Sequence, residues 1–142
     1  MKKQALLISF IFFATFICHG AVIRVPADQP TIQAGIDAAA HGDTVLVASG
    51  TYTGPGNRDI TFSGKAVRLV SEGGPAATVI DCEHAGRGVR FHSGESRTSV
   101  IEGFTITRGS VVNDPDDNEG GCIFCSGSSP AISGCILSSG QA

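Results

Sequence analysis

The chain has 142 residues, a formal net charge of -3 and 42% hydrophobic side chains, with 19 glycines and no tryptophan. The charge becomes two units more negative once Lys2 and Lys3 are set aside with the leader described below, and an acidic balance argues against nucleic acid, whose binding needs a basic face. Apolar residues are mostly Val, Ile and Ala in short runs among many glycines, which points to short strands and tight corners and away from a helical bundle.

Taken in chain order, residues 1–21 read as a secretory signal peptide: Lys2 and Lys3 precede an apolar run over residues 5–17, and the small residues Gly20 and Ala21 follow. The run is shorter than the ~18 residues expected of a membrane-spanning helix, and no second one follows. Export is therefore expected, with no membrane-spanning segment in the mature part. Cys18 follows Ile17 and not a small residue, which disfavours a lipid anchor.

Residues 22–42 are expected to form an N-terminal cap. Pro30 or Thr31 opens a short helix, Ile32 and Ile36 lie one turn apart, Ala38 to Ala40 favour helix and Gly42 stops it. Such a helix would cover the open end of whatever follows. Bare strand edges would otherwise be offered to other chains.

Residues 43–142 carry an internal repeat. "VLVAS" at 45–49, "VRLVS" at 67–71 and "VRFHS" at 89–93 recur at a spacing of 22, and "VID" at 79–81 returns as "VIE" at 100–102 and "AIS" at 131–133. Each unit holds short alternating strands separated by Gly, Ser, Asn or Pro corners, and none could bury its apolar face alone. Stacked as coils ~4.8 Å apart, they are expected to place Val67 and Leu69 over Val45 and Val47 and under Val89 and Phe91, with Leu46, Arg68 and Arg90 outward. The leucine spacing and ladder asparagine of a leucine-rich horseshoe are missing.

Four cysteines lie beyond Cys18, namely Cys82, Cys122, Cys125 and Cys135. In an exported chain they can oxidise, in any of three pairings that sequence does not choose between. Cys122 and Cys125 have the CxxC spacing of a zinc site, but no second pair or nearby histidine completes it. The parity of this last unit stays open: Cys122 with Phe124, or Ile123 with Cys125, points inward.

The interval before "AIS" is longer than the beat, and the extra residues are largely "SVVNDPDDNEG" at 110–120. They read as a loop thrust from one corner, a place where ligands are often bound. Asp114, Asp116, Asp117 and Glu119 make it a candidate calcium site, since oxygen-rich loops suit that ion, although the spacing is not that of an EF-hand. No other cofactor is expected.

"TIQAGIDAAAHGDTVLVASGTYTG", "TVIDCEHAGRGVRFHSGESRTSVIEGFTITRGS" and "GGCIFCSGSSPAISGCI" together resemble the N-terminal portion of secreted bacterial right-handed parallel β-helix repeat proteins of the pectin lyase-like superfamily. The resemblance covers nearly all of the chain beyond the leader. It implies an all-β fold, a right-handed parallel β-helix or solenoid of about four coils with a short N-terminal capping α-helix. It also implies that relatives continue with more coils, so a C-terminally truncated or partial β-helix is expected.

The fold hosts lyases, hydrolases, esterases and adhesins, so activity has to be argued from residues. Polysaccharide lyases on it set calcium-holding carboxylates beside a basic residue that removes the proton next to a uronate. Here the acidic loop, Arg68, Arg90 and Arg108 are the available parts. Arg68 and Arg90, expected on adjacent rungs, form a candidate anionic-glycan site, because like charges so placed are relieved by an anion across both. Asp81 and Glu102, expected at equivalent positions, could form a hydrolase pair, but their corner positions suit backbone capping. His84 and His92 have no nucleophile partner, and the esterase catalytic motifs are missing.

The reading these residues support is a secreted or cell-surface β-helix module, glycan-associated, with no catalytic residues of its own in this stretch. An N-terminal fragment of a polysaccharide lyase or hydrolase, or a passenger segment of an adhesin or outer-membrane protein, fits the same residues.

Overall fold

The structure, a computed structural model, describes residues 19–111 and 121–138. Its elements in chain order are β1 (Val22–Val25), α1 (Ile32–Ala38), β2 (Thr44–Val47), β3 (Gly50–Tyr52), β4 (Ile60–Thr61), β5 (Arg68–Ser71), β6 (Thr78–Asp81), β7 (Val89–Phe91), β8 (Val100–Glu102), β9 (Thr105–Thr107), β10 (Ile123–Cys125), β11 (Ala131–Ser133) and β12 (Ile136–Ser138). The signal-peptide reading for residues 1–18 and most of the acidic loop lie outside the described residues.

Every strand pairing among the described residues is parallel. The strands form three sheets in the orders β1-β2-β5-β8-β11, β10-β7-β4 and β12-β9-β6-β3. From β2 onward, consecutive strands therefore visit the five-stranded, the four-stranded and the three-stranded sheet in turn and return one rung along. That cyclic order is compatible with a β-helix, or solenoid. Parallel strands need a long return path, and here the other two sheets supply it in place of crossover helices.

Register sets the interior. On the five-stranded sheet Ile23, Val45, Leu69, Ile101 and Ile132 form one column. Ile80 pairs with Ile106 and Ile106 with Leu137 on the four-stranded sheet, and Ile60, Val89 and Ile123 align on the three-stranded one. Val45, Leu69, Ile80, Val89, Ile101 and Ile106 are wholly buried. Each such side chain contributes about 1.5–3 kcal/mol relative to exposure. Phe62 and Phe91 continue the last column, their ring centroids 4.8 Å apart.

This register corrects the 22-residue beat. Val45 pairs with Leu69, two residues beyond the Val67 that the beat requires, and Leu69 pairs with Ile101 and not with Phe91. "VRFHS" belongs to the three-stranded sheet, and "VID" to the four-stranded one. "VLVAS" and "VRLVS" do lie on adjacent rungs, two residues out of the beat, and the step from "VIE" to "AIS" keeps its register, with Val100 paired to Ala131. Several inward faces read apolar-x-apolar, so strands of different sheets look alike while corner loops of unequal length break the period. Last-unit parity is settled too: Ile123 aligns with Val89 and Cys125 with Phe91, leaving Phe124 outward beside Arg90.

At the N-terminal end α1 closes the interior. Thr31 caps it, its Oγ1 accepting from the Ala34 N–H at 3.2 Å, and Ile32 and Ile36 are buried against the core. Gly35 lets the helix lie this close, since a Cβ there would stand 2.9 Å from Val25 Cγ2 and Val45 Cγ1. Asn57 Oδ1 accepts from the Ile32 N–H at 3.0 Å. The Lys65 ammonium donates to the carbonyls of Ile36 (3.0 Å), Asp37 (3.0 Å) and Ala39 (2.9 Å), satisfying the helix C-terminus with a cation where the helix dipole favours one.

Two substitutions test this packing by urea unfolding. Lys65→Met removes the donor shared by three carbonyls and is expected to destabilise by about 1–3 kcal/mol. Thr78→Val is expected to stabilise by about 1 kcal/mol, because the Thr78 side chain is fully buried and its hydroxyl has no hydrogen-bond partner.

Candidate functional site

The outer face of the three-stranded sheet carries Thr61, Arg90 and Phe124 in one column. Arg90 is half-buried, and its Nε is shielded from solvent without a hydrogen-bond partner. Among the described residues it enters no ion pair. Next to it, the guanidinium of the buried Arg87 lies 4.7 Å from the centroid of the Phe124 ring, a cation–π contact. Arg87 is held by its backbone: its N–H donates to Asp59 Oδ1 at 2.9 Å and its carbonyl accepts from the Asp59 N–H at 2.6 Å.

The stems of the acidic loop meet at this corner. The Ser110 N–H donates to the Gly86 carbonyl at 2.9 Å, and the Gly88 N–H to the Gly121 carbonyl at 3.2 Å. Gly109 sits so close to Gly121 that a Cβ would fall 2.1 Å from its carbonyl oxygen. The chain thus leaves and rejoins the fold beside Arg87. The calcium candidates Asp114, Asp116, Asp117 and Glu119 themselves lie outside the described residues, and among the described residues no cluster of His, Cys, Asp and Glu could hold a metal.

Arg68 and Arg90 are not stacked. Arg68 opens β5 on the five-stranded sheet, and its Nη2 stands 3.2 Å from Glu102 Oε2, whereas Arg90 is the middle of β7 on the three-stranded sheet. The premise of one anion lying across adjacent rungs therefore fails, and of these two arginines Arg90 is the one without a carboxylate partner among the described residues. Asp81 and Glu102 are likewise on different sheets and not at equivalent positions of successive rungs.

Asp81 works as a corner tie. Its Oδ1 accepts from Arg108 Nε at 2.7 Å and from the Glu83 N–H at 3.0 Å, and its Oδ2 accepts from Arg108 Nη2. The Arg108 guanidinium holds its carboxyl below the ordinary 3.8, with the Glu83 N–H adding to the effect and burial opposing it. Glu83 and His84 follow with φ of 57 and 54, and Glu83 Oε2 accepts from Arg58 Nη1 at 2.8 Å and the Gly54 N–H at 3.0 Å. Glu95, 3% exposed, has the same role at another corner. It accepts from the N–H groups of Gly64 and Ser93 and from Ser128 Oγ, and although burial raises its carboxyl these donors outweigh that and leave it lowered.

Cys82, Cys122, Cys125 and Cys135 are not bridged to one another in the structure. Cys82 is buried and burial pushes its thiol up to about 12, which keeps it protonated and unreactive at neutral pH. Cys122 is buried while Cys125 is exposed, opposite environments for the two members of the CxxC pair. His84 and His92 are exposed.

Sequence reasoning singled out Arg90 but missed Arg87 and Phe124. The usable signal for Phe124 was its place two residues after Cys122 in a unit of undecided parity; Arg87 between Gly86 and Gly88 looked like an ordinary corner. No family model, no curated protein and no solved structure matches the chain. Among the described residues no helix is long and apolar enough to cross a membrane.

The Asp81–Arg108 tie predicts a pH dependence. A lowered folded pKa contributes stability that is present above the unfolded value and lost as pH falls through the folded one. Asp81→Asn should therefore cost about 1 kcal/mol at neutral pH, and the gap between variant and wild type in urea unfolding should close in acid.

Proposed function

We propose that the chain is an exported, right-handed parallel β-helix module of the pectin lyase-like kind, with about four coils, that binds an anionic glycan on the outer face of its three-stranded sheet. The cyclic strand order supports the coil, the strong right-handed preference of parallel crossovers supports the hand, and the apolar leader with its two lysines supports export. The observation that carries the binding role is Arg90: a half-buried guanidinium with no carboxylate partner among the described residues.

A partly desolvated cation lacking a counter-charge is costly, and an arriving carboxylate or sulfate relieves that cost with charge-assisted hydrogen bonds. Guanidinium matches a uronate carboxylate in planar, two-point fashion. The half-exposed Phe124 ring beside it offers apolar surface to sugar carbons. The role proposed for this face is retention of the glycan.

Isothermal titration with polygalacturonate, alongside a neutral glucan, tests the reading. Arg90→Ala should weaken polyuronate binding by about tenfold or more, in line with ~1.5–3 kcal/mol for a hydrogen bond to a charged group. Arg68→Ala, already paired with Glu102, should leave it essentially unchanged. Equal losses in the two variants would mean diffuse charge attraction, and unsaturated sugar products accumulating in the cell would favour the lyase alternative.

A further inference from the structure

Ala21, at the edge of the leader, already belongs to the fold. Its carbonyl accepts from the Thr44 N–H at 2.8 Å, which makes it the first residue of the ladder that joins β1 to β2. Its N–H donates to Asp43 Oδ1 at 2.7 Å. Asp43 is itself fixed by its neighbours: Oδ2 accepts from the Ala40 N–H at 2.8 Å just past α1, its N–H donates to the Ala40 carbonyl at 3.1 Å, and its carbonyl accepts from the Arg68 N–H at 3.0 Å. The Ala40 and Ala21 N–H donors hold its carboxyl below the ordinary 3.8, with burial opposing them. Among the described residues no basic side chain pairs with this carboxylate.

Gly20 precedes the ladder, and a Cβ on it would overlap the Gly42 carbonyl oxygen. Cys18 and Gly20 stand third and first before the Gly20–Ala21 bond, the positions at which a leader site needs small residues; a cut one residue later would put His19 third. That later cut would also delete the Ala21 carbonyl from the ladder and strip Asp43 of one of its two donors. The bond that the leader pattern permits is the one that leaves the first rung whole.

We propose that the Gly20–Ala21 bond is the processing site and that the α-ammonium created on Ala21 is held by Asp43, which builds the new terminus into the first rung. A leader peptidase adds water across the amide: the oxygen goes to the Gly20 carboxylate and both protons go to the Ala21 nitrogen. The donor that faces Asp43 then becomes a cation in the same place, so both partners of the hydrogen bond are charged. The leader is one residue shorter than the 1–21 read from the sequence, because Ala21 carries a ladder contact. This proposal rests on the export reading above and does not involve the Arg90 face.

N-terminal sequencing and intact mass of the full chain, expressed in a bacterial host and taken from the exported fraction, should give Ala21 as the first residue. Gly20→Ala keeps a small residue at the bond and should give the same exported mass as wild type. Pairing is read from the rate at which acetic anhydride acetylates the terminal amine at neutral pH, the only other amine of the processed chain being Lys65. Asp43→Asn should speed that reaction about two- to fivefold. Protection of the buried Cys82 from iodoacetamide reports that the variant is folded; should it be lost, added salt should speed acetylation of the wild type in its place. A chain held back with its leader intact would overturn the export reading and the proposal together. An exported chain beginning at another residue, a Gly20→Ala product heavier by one methylene, or an acetylation rate indifferent to Asp43→Asn or to salt would overturn the proposal alone.

Discussion

In a parallel ladder the backbone N–H and C=O groups point along the stacking direction, so each rung is satisfied only by the rungs before and after it. Everything else in this protein follows from that constraint. It forces three short sheets to grow together, since a strand added to one must be joined through strands of the other two. It also turns register into the arbiter of burial: a slip of one residue would send Leu69 outward and Val70 inward. Finally it leaves an ends problem that no interior rung has.

The N-terminal end solves that problem with residues drawn from distant sequence. The helix supplies Ile32 and Ile36 to the interior, while Lys65 and Asn57, from the coil below, bind its two ends. Gln33 then acts as a substitute strand residue for Thr61. Helix and first coil thus stabilise one another, and neither would be expected to hold its geometry alone. A seven-residue helix is too short to persist in water without such contacts.

Corners carry the remaining polar chemistry, which explains why so many carboxylates here are structural. Asp59, Asp81 and Glu95 each spend their oxygens on backbone N–H groups or on a neighbouring basic or hydroxyl side chain. Against that background Arg90 stands out for lacking a counter-charge among the described residues, and Arg87 for being laid against an aromatic ring. The flat strands hold this pair in place while the corners absorb length variation.

Composition and alternation were enough to determine that this is a protein of short strands with a helical lid, because apolar-x-apolar runs, corner glycines and a Thr-capped Ile-x-x-x-Ile turn are local properties of the chain. The role of Asp81 at a corner was legible for the same reason. Which strand lies on which was decided only in three dimensions: "VRLVS" and "VRFHS" are nearly interchangeable as strings, and loops of unequal length hide the true rung distance, so Arg68 and Arg90 looked like neighbours when they occupy separate sheets. Glu102 beside Arg68, Phe124 beside Arg90 and the Lys65 clasp are contacts between residues far apart in sequence, made by register and packing and not by any short motif. Local pattern determines the elements; the shared hydrogen-bond ladder determines their neighbours, and with them the chemistry of each face.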